Sequence, residues 1–411
     1  MPVTRPSDPA RPPALDRAHG PAGSYDLDRA AAGVAAAVGR ALADGRTHGA
    51  AWLVAHGDDV VTGAAGEASP GRPVRPDSLF RISSVTKPVV AAAALALVDA
   101  GLLALDAPVD TWLPELADRR VLVDPRGPLD VTVPAERPTT VRDLLESRAG
   151  LGMDFTATHA DPVLEALAQR GLHAGPPAPQ ADPDPDTWVR VVGEVPLSEQ
   201  PGTRWRYHLP LQLLGVLVAR AAGGALPAVL RARVLDPVGM PGTAFHVPPD
   251  SLARLGRQWV TGADGAPLVH DEPDGQWARP PAFPDGGAGL VSTVADLHAF
   301  ARMLRAGGTA ADGTRVLAVD TVADMLRPHV GPLGDDARGA WGLGIGLCRV
   351  DMPDGRHAGS HGWDGGLGAT WWTDPVSDVV LVLLTTDAWA SPEASALFRE
   401  VWAAAFGGSA E

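Results

Sequence analysis

Residues 79–100 constrain this chain more than any other stretch. They read Leu-Phe-Arg-Ile-Ser-Ser-Val-Thr-Lys-Pro-Val-Val and continue in alanine through Leu95, Leu97 and Val98, which predicts an apolar helix ending near Gly101. Ser84 and Lys87 stand three residues apart at its mouth, a spacing that puts both side chains on one helical face. A serine hydroxyl is a weak nucleophile near neutral pH and needs a proton acceptor within hydrogen-bond reach, which a desolvated, neutral lysine can provide. A serine in the first turn also has its backbone NH among the unpaired, positively polarised groups of the helix start, where it can face an oxyanion.

Ser-x-x-Lys alone recurs by chance, and an N-capping serine beside a solvated lysine gives the same string. Composition separates the two readings. Of 34 Lys and Arg residues only one is a lysine, and it is Lys87. Arginine cannot be deprotonated in a protein, so the one cation able to serve as a base stands in the motif. Ser84 and Lys87 therefore read as nucleophile and base.

The chain has 411 residues, 45% of them hydrophobic and 20% charged, with 47 Gly and 40 Pro. That is a globular composition with core enough for two or three structural parts. A net charge of −15 without a basic run disfavours nucleic acid and anionic membranes as partners. No stretch approaches the ~20 apolar residues of a membrane helix. Residues 1–23 lack the apolar core of a secretory signal, and the single cysteine, Cys348, rules out an internal disulfide. A cytoplasmic location is the expectation. The 12 histidines are scattered without ligand spacing, so neither metal nor cofactor is expected. Oligomeric state is not legible.

Residues 1–26 read as a flexible arm. A helix follows over 28–43, then strands over 50–55 and 60–62 joined by His56-Gly57-Asp58-Asp59 as a hairpin. Beyond the nucleophile helix, 105–114 reads as a short amphipathic helix, 121–138 as proline-rich loop, 141–146 as a helix capped by Thr140, and 155–195 as short helices and loops. Helices over 211–222 and 228–235 precede a glycine loop, Asp285-Gly-Gly-Ala-Gly-Leu-Val-Ser292. The loop lacks the lysine and the preceding strand of a phosphate loop and reads as a crossing from the helical part to a sheet. A helix over 294–304 capped by Thr293, strands over 341–350, 368–373 and 379–385, and a closing helix over 392–405 complete the chain. The pattern predicts an α+β fold: an antiparallel sheet flanked by N- and C-terminal helices, with an inserted all-helical domain. The expected divisions are 1–26 for the arm, 27–105 and 286–411 for the two parts of the α/β domain, and 106–285 for the insertion.

Five segments then occur in order: Ser-Ser-Val-Thr-Lys-Pro, Thr-Val-Arg-Asp-Leu-Leu-Glu-Ser-Arg-Ala-Gly-Leu-Gly, Pro-Gly-Thr-Arg-Trp-Arg-Tyr, Gly-Gly-Ala-Gly-Leu-Val-Ser-Thr and Gly362-Trp-Asp-Gly-Gly366. Together they resemble the serine hydrolases of the class C β-lactamase and penicillin-binding-protein superfamily, most of all the family VIII carboxylesterases, over residues 27–405. The resemblance implies a cleft between the sheet domain and the helical domain. It implies that Tyr207 is the tyrosine of the second motif, hydrogen-bonded across the cleft to the nucleophile and sharing the general-base role with Lys87, and it does not settle which of the two takes the proton. Tyr207 is one of 2 tyrosines in a chain with 12 Trp and 7 Phe. The NH groups of Ser84 and Gly366 would hold the oxyanion.

Two departures from the family pattern shape the expected substrate. The second motif, often Tyr-x-Asn, reads Tyr207-His208-Leu209 in a chain without asparagine, and His208 reads as a polar residue of the cleft wall. The third motif, Lys-Thr-Gly in lactamases, reads Trp363-Asp364-Gly365, with His361 able to take its place in a shifted register. Trp363, Asp364, Gly365, His208 and His361 are the expected substrate-binding residues. A tryptophan where lactamases carry a cation offers an apolar wall, and Arg356 reads as a solvated loop charge, so small uncharged esters are the expected substrates. Acyl transfer, amide hydrolysis or peptide cyclisation, or weak β-lactamase activity are the alternatives within the superfamily. A non-catalytic binding protein on the same fold is the alternative of another class. An α/β-hydrolase built on Ser360 fails, because position 358 is Ala where the nucleophile elbow wants Gly and no histidine follows His361.

Overall fold

The computed structural model describes residues 25–409 except 174, 263, 334–335 and 389–395. Residues 1–24 of the expected arm and the first residues of the expected closing helix lie outside the described residues. Helix α1 (Leu27–Ala43) begins where the Asp26 carboxylate accepts the Arg29 NH at 2.9 Å, an N-cap that satisfies a donor the helix cannot. Its residues Val34, Ala37, Val38 and Ala41 form one buried stripe. Strands β1 (Gly49–His56) and β2 (Asp59–Ser69) make the expected hairpin, turning through Gly57 at φ 61. β3 (Arg72–Pro73) and β4 (Phe80–Arg81) then lead into α2 (Thr86–Asp99). Every residue of α2 from Thr86 to Leu97 is buried. A helix covered on all sides is the axis of a core and not one wall of it.

A ribbon of β5 (Arg120–Leu122) and β6 (Thr132–Pro134) comes next, followed by helices α3 (Val141–Leu145), α4 (Pro162–Gln169), α5 (Pro185–Gly193), α6 (Leu209–Ala222), α7 (Leu226–Leu230) and α8 (Asp236–Val238). β7 (Gln258–Thr261) and β8 (Pro267–Asp271) form a second ribbon, and β9 (Val291–Ser292) pairs with β4. The chain ends with α9 (Val294–Arg305), α10 (Val319–Met325), β10 (Gly339–Trp341), β11 (Gly346–Cys348), β12 (His361–Gly365), β13 (Ala369–Asp374), β14 (Val379–Thr385) and α11 (Ala396–Phe406).

The main sheet has 8 strands in the order β10-β11-β12-β13-β14-β1-β2-β3. All its pairings are antiparallel, and β1 meets β14 in the register Ala50↔Thr385 to His56↔Val379, so both ends of the chain build one sheet. Every residue of β14 is buried because helices cover both faces. Val379, Leu381 and Leu383 pack toward α1 and α11, while Val380, Val382 and Leu384 pack into the core around α2. Each such side chain contributes ~1.5–3 kcal/mol of transfer free energy, and a one-residue slip would exchange the two sets.

Three sequence expectations need correction. The run 341–350 is not one strand: β10 and β11 pair with each other around Gly344, which sits at φ 78. The segment 105–114 forms single 3₁₀ turns at Val109–Thr111 and Pro114–Leu116 and no amphipathic helix, because Pro108 and Pro114 remove the donors a helix needs. Within the expected loop 121–138, β5 and β6 pair in register. Among the described residues no single helix is long and apolar enough to cross a membrane.

Candidate active site

Ser84 lies in a 3₁₀ turn, Ser83–Val85, that joins β4 to α2. Ser83 takes φ 45, a left-handed conformation unfavourable for a residue with a Cβ. The surroundings hold it there: Ile82 NH donates to Leu290 O at 3.0 Å, and Leu290 NH donates to Thr86 Oγ1 at 3.1 Å. On the other side, a Cβ at Gly365 would sit 2.2 Å from Ile82 O and 3.3 Å from Ser83 Cβ. Only glycine lets the end of β12 back onto the turn so closely.

Lys87 is fully buried, and its ammonium is surrounded by acceptors. Nζ donates to Ser84 Oγ at 2.9 Å and to Gly287 O at 2.7 Å, and lies 3.2 Å from His208 Nδ1. It also stands 4.3 Å from the centre of the Tyr207 ring. Burial lowers the lysine to about 7, and the charge of Asp285 opposes this only in part. The Tyr207 hydroxyl accepts the Trp363 indole NH at 2.5 Å, and the neighbouring Ser84 side chain works to lower its pKa. Burial pushes this phenol upward, so it keeps its proton at neutral pH.

Tyr207 is placed by a segment the sequence flagged for another reason. Met153 NH donates to Tyr207 O at 2.9 Å and Tyr207 NH donates to Met153 O at 2.8 Å, while Arg206 NH donates to Ser147 O at 2.7 Å. Ser-Arg-Ala-Gly-Leu-Gly is therefore the cradle of the tyrosine. Gly152, at φ 128, has no room for a Cβ, which would lie 2.5 Å from Tyr207 O. Phe155, Trp205, Trp341 and Trp363 surround the Tyr207 ring at centroid distances of 5.1, 5.4, 6.2 and 5.6 Å. Phe155 is exposed, and with Trp205 and Pro332 it forms the apolar part of an open groove of about 500 Å³ whose other walls are polar, Arg148, Arg204 and His329 among them. An apolar group of a substrate can lie there against aromatic faces.

The expected substrate-binding residues divide. Trp363 faces the cleft. Asp364 does not: its Oδ1 accepts from Thr370 Oγ1 at 2.6 Å and Trp372 Nε1 at 3.0 Å on the opposite face of the sheet, as strand alternation requires. His361 is 3% exposed and sits beside the Gly359 carbonyl at 3.3 Å, a core residue and no substrate contact. Burial pushes it down to about 4, which leaves it neutral. The His208 ring is turned onto Lys87, with about a fifth of its side chain still exposed. Tyr207, His208 and Leu209 form a γ-turn, with Leu209 NH donating to Tyr207 O at 3.1 Å and His208 at φ 78, ψ −69. That conformation costs on the order of 1–3 kcal/mol in a residue other than glycine. Arg356, expected to be solvated, is 3% exposed and packed between Trp372 and Trp402. Ser360 is fully buried.

Two residues at the site were not singled out from the sequence. Gly287 supplies the carbonyl that holds Lys87, and Asp285 lies behind it with Oδ1 accepting the Gly287 NH at 2.6 Å. The glycine loop that carries them does cross from helices to sheet, and it also forms the back of the site. Among the described residues no group of three or more His, Cys, Asp or Glu side chains is placed to hold a metal ion.

The Beta-lactamase family model matches residues 34–406. Esterase EstB of Burkholderia gladioli is 35% identical over 389 residues, spanning 89% of this chain and 93% of that protein. Acyltransferase calJ of Penicillium decumbens is 30% identical over 349 residues, spanning 78% of this chain and 77% of its own. In fold, the chain is similar to the solved structure of EstCE1, a hydrolase with promiscuous acyltransferase activity, at a TM-score of 0.77 and 24% identity, covering 92% of this chain and 99% of that one. The serine, lysine and tyrosine thus meet on a framework matched along most of its length by the family model and by relatives at 30% identity or more, and the chain belongs to the beta-lactamase family.

Proposed function

We propose that this protein is a serine esterase of the family VIII carboxylesterase type that cleaves small uncharged esters through an acyl-enzyme on Ser84. The observation that carries the reading is the 2.9 Å contact between Ser84 Oγ and Lys87 Nζ, made by a lysine that burial has brought to about 7. Near neutral pH about half of such a lysine is unprotonated and able to accept the serine proton. Tyr207 keeps its proton, so Lys87 takes the base role and the phenol serves as the donor to the departing alkoxide.

Ser84 Oγ attacks the ester carbonyl while its proton moves to Lys87. The NH groups of Ser84 and Gly366 hold the oxyanion of the tetrahedral intermediate, which collapses with loss of the alcohol, protonated from Tyr207 as Tyr207 is reprotonated from Lys87. Water then attacks the acyl-enzyme under the same base and frees the acid. An alcohol in place of water would make the product an ester, a second reading that the similarity to an acyltransferase favours. The walls of this site fit a division into an α/β part, 27–105 with 286–411, carrying Ser84, Lys87 and Trp363, and a mainly helical part, 106–285, which also holds the β5–β6 and β7–β8 ribbons and carries Tyr207. A cytoplasmic location belongs to the same reading and is checked by cell fractionation. The function is tested by p-nitrophenyl butyrate hydrolysis. The wild-type chain should turn it over and Ser84→Ala should not, and a Ser84→Ala variant keeping more than about a hundredth of the activity would remove Ser84 from the chemistry.

A further inference from the structure

The acyl-transfer reading leaves His208 and Asp285 without a role, although both lie behind the base. The His208 ring is interposed: Nδ1 is 3.2 Å from Lys87 Nζ, and Nε2 is 4.0 Å from Asp285 Oδ2. Two features press it there. The γ-turn at His208 is a strained conformation that persists only where its surroundings enforce it. Gly287 brings the loop against the ring, since a Cβ there would meet Asp285 Oδ1 at 3.1 Å and His208 Cε1 at 3.3 Å. Beside the 4.0 Å gap lies a cavity of about 20 Å³, lined among others by Asp182, His208, Gln212, Phe283 and Asp285. It has room for about one water.

We propose that His208 shuttles a proton between Lys87 and Asp285, resting the proton of the base on a buried carboxylate. The inference rests on Lys87 being the base of the proposed function. In the forward direction the Lys87 ammonium gives a proton to His208 Nδ1 while the Nε2 proton passes, through one water, to the Asp285 carboxylate. The products are a neutral amine, the other imidazole tautomer and a carboxylic acid, so charge and protons balance without exchange with bulk solvent. The reverse transfer restores the ammonium when the leaving group needs a proton. The three groups suit this exchange, because burial lowers Lys87 to about 7, holds His208 neutral and raises the Asp285 carboxyl to about 6. The other groups facing them are the Tyr207 phenol over Lys87 and Asp182, whose charge raises Asp285 further and whose Oδ1 accepts the His173 NH at 2.7 Å.

The test compares kcat/KM for p-nitrophenyl butyrate between about pH 5 and 9 in the full chain, in Asp285→Asn and in His208→Gln. Electrostatics alone would leave the Asp285→Asn plateau untouched and move its acid limb to lower pH, because losing a negative charge lowers the lysine further. A shuttle instead requires both variants to lose at least about tenfold on the plateau, even though Asp285→Asn holds more neutral lysine. Plateau values within about twofold of wild type in either variant would overturn the proposal. Should these variants not fold, Asp285→Ser and His208→Asn are read on the same plateaus against the same limits. Acylation of Ser84, read by mass in the same samples, separates the failures: a chain that never acylates Ser84 refutes the proposed function, whereas acylation with intact plateaus refutes only the shuttle.

Discussion

Lys87 and Arg356 are both buried cations, one on each face of the main sheet, and they have opposite fates. Arg356 meets Asp354 through two bonds of 2.9 and 2.7 Å and is packed 4.2 and 4.0 Å from the rings of Trp372 and Trp402. Burial works to lower its pKa, but the Asp354 bonds together with nearby negative charge, Asp364 included, more than offset this, and it stays charged. Lys87 is bonded to a hydroxyl and a carbonyl and beside an imidazole, with its carboxylate set back behind the histidine. There burial wins and the lysine falls to about 7. Burial is common to both cations: the guanidinium of Arg356 cannot give up its proton and is structural, whereas a lysine set back from its carboxylate can lose its proton and act as a base.

The largest expected effect breaks the comparison at Lys87. Lys87→Arg keeps the charge and cannot accept a proton, so esterase activity should fall by ~10²–10⁴, as far as in Ser84→Ala. Retention of more than about a tenth would show that no neutral base is needed. The next breaks it at Arg356. Arg356→Met leaves Asp354 buried without its partner and should cost ~3–5 kcal/mol in urea unfolding, while the folded fraction keeps its kcat/KM. A loss below about 1 kcal/mol would make that pair dispensable.

The same contrast sharpens the substrate class. Neither cation is free for a substrate carboxylate, since Lys87 lies beneath the nucleophile and Arg356 lies behind the sheet. Short uncharged esters should therefore be hydrolysed with kcat/KM at least about a hundredfold above that for benzylpenicillin, ~2.7 kcal/mol of transition-state discrimination. Equal efficiency in side-by-side kinetics would mean that another cation serves the cleft. The smallest effect concerns stability. The folded lysine sits near 7 and the unfolded one near 10, so between these values the unfolded chain holds more protons. The cost of burying Lys87 is thus fully present below pH 7 and is relieved as pH rises. Lys87→Met should gain ~1–2 kcal/mol at pH 6 and less at pH 9. A loss at both values would show that the bonds of Nζ to Ser84 and Gly287 outweigh its charge.

What could be read from the sequence was local or carried by an ordered set of motifs. Ser84 and Lys87 are three residues apart on one helix, and the hairpin of β1 and β2 is marked by its turn. The contact of Lys87 with Gly287 spans 200 positions, and no spacing rule reaches that far. The direction of His208 depends on a γ-turn that histidine does not announce. β12 was hidden because glycine is a poor strand former. Its glycines are there for close approach: a Cβ at Gly362 would lie 2.0 Å from Trp371 O. Without that strand the alternation that turns Asp364 away from Trp363 could not be seen.

The central claim is that Ser84 is the nucleophile activated by Lys87. The most direct measurement is mass spectrometry of the protein after reaction with a fluorophosphonate. The expected result is one adduct on the peptide carrying Ser84, absent from Ser84→Ala and formed at least about a hundredfold more slowly in Lys87→Arg. No adduct, or an adduct on Ser360, would contradict it.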